Sequence, residues 1–119
     1  MMGELTDKNG DSVTVRLTSK GNAYALYLED GTRAGATYFV DRGSERIFHH
    51  TIVGDDYTGR GLGSILVREA LAATRAAELT VVPSCQFVAS WIGRNGYDGP
   101  VTDPTPETDE YVLQHAGEA

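Results

Sequence analysis

Polar and apolar residues alternate with a period of two along the first half of the chain. Val13, Val15 and Leu17 alternate with Thr14, Arg16 and Thr18, the pattern of a half-buried strand. Ala23 to Glu29 follows as a second strand, with Tyr24, Leu26 and Leu28 on one face and Ala23, Ala25 and Tyr27 on the other. A third strand is predicted over Thr32 to Asp41 and a fourth over Arg46 to Val53. Turns at Lys20-Gly21-Asn22, Asp30-Gly31 and Arg42-Gly43-Ser44 make this an antiparallel meander. Asp30-Gly31 predicts a type I′ hairpin, which needs positive φ at both positions. Residues 1–10 are mostly polar and predicted to be a flexible N-terminus, with a turn at Asn9-Gly10.

After Val53 the period changes. Leu66, Ala70, Ala73 and Ala77 recur at helical spacing, opposite Arg68, Ala72 and Arg75, and predict a helix over Leu62 to Glu78. Leu79 to Pro83 is too short for a helix and β-branched, so it reads as a strand. A helical crossover returns it parallel to Arg46 to Val53. Beyond it, Ser84 is the expected N-cap and Cys85 the first residue of a second helix. Phe87, Val88, Trp91 and Ile92 form its apolar face, and Gly96 with Tyr97 its stop. Residues 99–119 hold Pro100, Pro104 and Pro106 among acidic residues, the composition of an extended, solvated tail in which only Tyr111-Val112-Leu113 docks.

Composition narrows the classes of function. A chain of 119 residues fits one domain with one core. Its net charge of −7 and pI near 4.8 offer no basic field for nucleic acid or an anionic membrane. An anionic cofactor must then be held by local backbone amides and one or two arginines. The single cysteine excludes an intrachain disulfide and a multi-cysteine zinc site. No stretch approaches the roughly 20 apolar residues of a membrane span, no signal pattern opens the chain, and the expected compartment is the cytoplasm.

Gly59, Gly61 and Gly63 lie in a turn that runs straight into the first helix. Glycine lets backbone approach a ligand, and a helix start carries unpaired N–H groups, so the turn reads as an anion cradle. It is not a P-loop, because Arg60 stands where lysine is required and Gly61 where serine or threonine would reach magnesium. Nor is it a dinucleotide fingerprint, since the glycine spacing differs and no acidic residue ends the next strand. Alternation on the fourth strand places Phe48, His50 and Ile52 on one face and Ile47, His49, Thr51 and Val53 on the other. The histidines are either hydrogen-bonded strand residues or include a proton acceptor beside the cleft; no ligand spacing supports a metal. Cys85 is either a small buried hydrophobe or a nucleophile, because helix N-termini favour thiolates.

With strand, glycine turn, helix, strand and short helix in this order, the chain resembles the GNAT superfamily of N-acetyltransferases. The nearest likeness is to minimal, single-domain GNAT-like proteins with a cysteine after the last core strand. The resemblance rests on His50 to Val53, Tyr57 to Val67, Val81 to Val88, Trp91-Ile92 and Tyr97. It implies an α/β fold over residues 11–98, with a bent, mainly antiparallel sheet of about five strands, two main helices and a splayed parallel strand pair. It also implies acetyl-CoA or coenzyme A as cofactor and an amine as acceptor. Backbone amides of Arg60, Gly61, Leu62, Gly63 and Ser64, with Thr58 and Gly59 beside them, would hold the pyrophosphate. The thioester would lie against the strand at Ile52 and Val53, whose N–H groups can stabilise the oxyanion. Cys85 would accept the acetyl group or stand by as the amine attacks directly, with His50 or water taking the proton. The alternative is a coenzyme A or acyl-CoA binding module without significant turnover. The chain departs from the pattern at Thr58, where Gln or Arg is usual, at Gln86 after the cysteine, and at Arg94 to Gly96 before Tyr97.

Overall fold

A computed structural model describes residues 5–57 and 59–116. One sheet of six strands runs in the order β1 (Leu5–Thr6), β2 (Ser12–Leu17), β3 (Ala23–Leu28), β4 (Arg33–Arg42), β5 (Glu45–Val53) and β6 (Thr80–Pro83). The first five pair antiparallel as a meander, while β6 is parallel to β5, as the crossover requires. A short 3₁₀ turn, Asp55–Tyr57, leads towards α1 (Leu62–Ala76); α2 (Gln86–Asn95) follows β6, and α3 (Pro106–His115) follows a connecting segment. The fold is thus mixed α/β with six strands where about five were expected. The extra one, β1, arises where fraying was expected.

Physical causes for the differences are local. Asp7 Oδ1 accepts from the N–H groups of Asn9 and Asp11, which closes the turn that sets β1 against β2. The β3–β4 turn is not type I′: Asp30 does not have positive φ, Gly31 does (90°), and Asp30 Oδ1 instead accepts from Thr32 N–H. The segment after Gly99 is not extended throughout, because Pro106–His115 forms a helix. Thr105 caps α3 in a reciprocal box with Thr108, Pro106 opens the helix, and Tyr111 docks by donating its hydroxyl to Asp41 O. Ahead of it, Val101 forms a parallel bridge with Val81 on the free edge of β6.

The main core lies between one sheet face and the helices α1 and α2. Tyr24, Leu26, Phe39, Phe48 and Val81 of the sheet pack there with Leu66, Leu71, Val88 and Trp91. The buried stripe of α1 comprises Leu62, Ile65, Leu66, Val67, Ala70, Leu71 and Thr74, wider than the predicted alanine line, and Ala77 lies outside it. Thr74 is tolerated because its hydroxyl donates to Ala70 O. On the other sheet face, Ala23, Ala25 and Ala36 pack under Tyr27 and Tyr38.

Candidate active site at the splayed strand pair

Pairing of β5 with β6 ends at Phe48 and Pro83. At the next residue, His49, β5 bulges: Phe39 of β4 faces Phe48, but Tyr38 faces His50. The bulge inverts the expected alternation. Phe48, Thr51 and Val53 now share the helix-covered face, whereas His50 and Ile52 lie on the opposite face with Tyr38, whose ring centroid is 5.9 Å from that of His50. The assignment of His50 to the face of Phe48 is therefore corrected, because one extra residue reverses every later side chain.

Cys85 stands at the opening. Its N–H donates to Phe48 O at 2.8 Å and its Sγ donates to Thr51 Oγ1 at 3.3 Å. Thr51 Oγ1 is in turn 2.8 Å from Thr37 Oγ1, which is fully buried. Cys85 is the N-cap of α2, with extended backbone (φ −82°, ψ 129°), rather than its first helical residue. Ser84 is not the cap, and its buried Oγ has no hydrogen-bond partner among the described residues. His50 and Cys85 are not brought together, since they belong to opposite faces of β5. Burial, then the neighbouring His50, lower the pKa of His49 and favour its neutral form.

The cradle lies at the carboxyl edge of β5. Gly59 and Gly61 have φ of +84° and +75°, a conformation that favours glycine. Gly61, the N-cap of α1, has no side chain to cap it, and among the described residues the first N–H groups of the helix have no capping side-chain acceptor. That open set of donors fits a diphosphate. Thr58, expected beside it, lies outside the described residues. Arg60 contributes backbone rather than charge: its Nε donates to Asp7 Oδ2 at 2.7 Å, and its carbonyl accepts from Lys8 N–H at 3.0 Å. Burial pushes the Asp7 carboxyl up, but hydrogen bonds from Asp11 N–H, Arg60 and Asn9 N–H outweigh it and hold its pKa low.

Sequence reasoning missed several residues at this site. Lys8 lays its aliphatic stem along Gly61, as the cation beside the cradle. Phe87 covers Gly63, and Trp91 donates to Ser64 Oγ at 2.9 Å. Asp7 had a legible signal, since an aspartate two residues before a backbone N–H in Asp-x-Asn-Gly invites an Asx turn. Thr37 and Thr51 had none.

A curled mixed sheet, a parallel pair that splays apart, and a glycine turn opening a helix at that edge are the features of a GNAT-type fold. A family model described as GCN5-related N-acetyl-transferase matches residues 23–98, and the chain belongs to that family. No curated protein matches the chain. Family membership makes this an acetyltransferase domain in the general sense. Among the described residues, no helix is long and apolar enough to cross a membrane.

Proposed function

We propose that this domain transfers an acetyl group from acetyl-CoA to an amine, with the amides of Arg60 to Ser64 on the pyrophosphate and the thioester in the splay between β5 and β6. One observation carries the reading. Cys85, the end of β5–β6 pairing and an uncapped helix start converge on one sheet edge. Acetyl-CoA supplies the activated acyl carbon. Beyond Phe48 no strand among the described residues pairs with the β6 side of β5; with Gly54 N–H on Ala34 O, the alternation of the antiparallel ladder turns Ile52 N–H towards β4 and Val53 N–H to the open side, where it can bond the acyl oxygen.

Two routes follow. In the direct route the amine attacks, a C–N bond forms, the C–S bond breaks, and coenzyme A leaves as its thiol. The amine's surplus proton passes to His50 or water on the open face. In the other, Cys85 Sγ attacks first and its proton ends on the departing thiol; the amine then takes the acetyl group and Cys85 regains a proton. Incubation with acetyl-CoA in the absence of amine, followed by intact-mass and peptide analysis, is expected to show acetyl on Cys85. Cys85→Ala should then turn over at least about tenfold more slowly, an activation difference of about 1.4 kcal/mol. Absence of the adduct together with undiminished turnover would remove the Cys85 route.

A binding module without turnover is the second reading. It is favoured by one observation, that the Cys85 thiol bonds a hydroxyl and not an imidazole or carboxylate. Calorimetric binding of acetyl-CoA with no transfer to a broad amine panel would decide for it.

A further inference from the structure

The sheet face turned away from α1 and α2 has a local charge opposite to that of the chain. Around its floor of Ala23, Ala25 and Ala36, strand pairing gathers Arg16, Tyr27, Arg33, Tyr38, His50 and Ile52, and among the described residues no aspartate or glutamate joins them. The chain as a whole has 17 acidic and 10 basic side chains. The acids of the β3–β4 turn, Glu29 and Asp30, line a separate hollow with Arg60.

Over β4 and β5 on this face lies a hollow of about 270 Å³, lined by Arg33, Tyr38, Ala36 and Ile52 with Gly35 and Gly54. It falls below the roughly 300–1,000 Å³ of sites for drug-sized ligands, so it suits a smaller molecule. Arg33 donates through Nη2 to Tyr38 Oη at 3.1 Å, which uses only one of its several N–H donors and leaves the phenol its own proton to donate. Arg42, Arg46, Arg60, Arg68 and Arg75 each have a carboxylate partner. Among the described residues no carboxylate pairs with Arg33, and Arg16 lies instead over the Tyr27 ring, 4.3 Å from its centroid. Arg33 and Tyr38 thus offer converging donors, the complement of a carboxylate. The same Tyr38 ring stands 5.9 Å from the imidazole of His50. The hollow also touches Ile52 and Gly54, the residues on either side of Val53.

We infer that the acceptor is a small amino-acid-like amine whose carboxylate rests on Arg33 and Tyr38. The inference rests on the proposed acetyl transfer and adds the class of acceptor to it. With the carboxylate held at one end of the hollow, the amine extends along β5 towards Val53 and the acyl carbon. His50 lies on the same face to take its proton. A simple amine without an anionic group has no such anchor.

Initial rates at saturating acetyl-CoA with glycine, β-alanine and γ-aminobutyrate, each against its carboxamide, test the inference. Rates are taken per unprotonated amine, because the acid and the amide differ in amine basicity. At the length that spans the hollow, the wild type should prefer the carboxylate about tenfold in kcat/KM, chiefly through KM; solvent screening of an exposed guanidinium keeps the preference at that size. Arg33→Gln should take acid and amide at one level, and Arg33→Lys should keep part of the preference. Arg94→Gln removes the same charge from the end of α2, outside the hollow, and should keep all of it. Equal wild-type use of acid and amide at every length, a preference that survives Arg33→Gln, or one lost equally in Arg94→Gln overturns this inference and leaves acetyl transfer standing. Acetylation of none of these compounds, amides included, removes the transfer reading and this inference with it.

Discussion

Adding one methyl group at Gly63 tests how the mouth of the site is packed. A Cβ at Gly63 would stand 2.5 Å from Phe87 Cζ and 3.3 Å from each neighbouring ring carbon. Carbon pairs settle near 3.5–4.0 Å, so the ring must retreat by about 1 Å. The atom met is the tip of a side chain on a residue 39% exposed, so the ring can swing outward instead of straining the backbone. Full burial of a phenylalanine contributes about 1.5–3 kcal/mol; for a residue about three-fifths covered, loss of that packing costs on the order of 1–2 kcal/mol. Opposing it, alanine gains at most about 0.5–1 kcal/mol over glycine in a helix, and less in a first turn. Gly63→Ala should therefore destabilise by about 1 kcal/mol in the presence of Phe87, and be neutral or slightly stabilising beside Phe87→Ala. Urea unfolding of the four proteins in a double-mutant cycle should give a coupling of about 1–2 kcal/mol. A coupling below about 0.5 kcal/mol, or a Gly63→Ala protein more stable than wild type, would refute the packing argument.

Other expectations concern the supports of the site. The folded Asp7 carboxyl has a pKa below its unfolded value, so its contribution to stability is complete above the ordinary aspartate range and is lost as pH falls through the folded value. Wild-type urea midpoints should thus exceed those of Asp7→Asn at pH 7, and the gap should close from about pH 4 downwards; a gap that stays constant contradicts the Arg60–Asp7 latch. Thr51→Val keeps shape but strands the buried Thr37 hydroxyl, at a cost of about 1–3 kcal/mol. Thr51→Ser should recover most of it, and equal stability of the Val and Ser variants would show the hydroxyl pair to be idle.

The meander, the parallel crossover and the helix after the glycine turn were legible because each rests on local periodicity: period two to Val53, period 3.6 from Leu62, and a β-branched run at Leu79 to Pro83. Elements fixed by distant partners were not. A two-residue strand such as Leu5–Thr6 has no alternation to read, and it is held in part by Arg60, which lies 53 positions from Asp7. The helix α3 did leave a trace, Thr105-Pro106 with Thr108 three residues after the cap, but the acidic, proline-containing composition argued against a helix and hid it. At Cys85 the error was a single residue, and it matters: the N-cap has extended backbone, which leaves the thiol on Thr51 at the end of a strand instead of inside a helical turn.

The bulge at His49 connects these points. It falls immediately after the last β5–β6 pair, Phe48 with Pro83, so the residue that breaks the alternation is also the one at which the strands part. A regular β5 would have turned Thr51 away from Cys85 and brought His50 to the helix face. With the extra residue, the thiol meets a pair of hydroxyls on one side of the strand, while the imidazole stays exposed on the other beside Tyr38. An imidazole on that face is too far round the strand to share a proton with the thiol, so under the proposed function the two groups cannot act as a hydrogen-bonded pair. A single backbone irregularity, without glycine or proline to announce it, thereby coincides with the end of β5–β6 pairing and separates the thiol and the imidazole onto two faces.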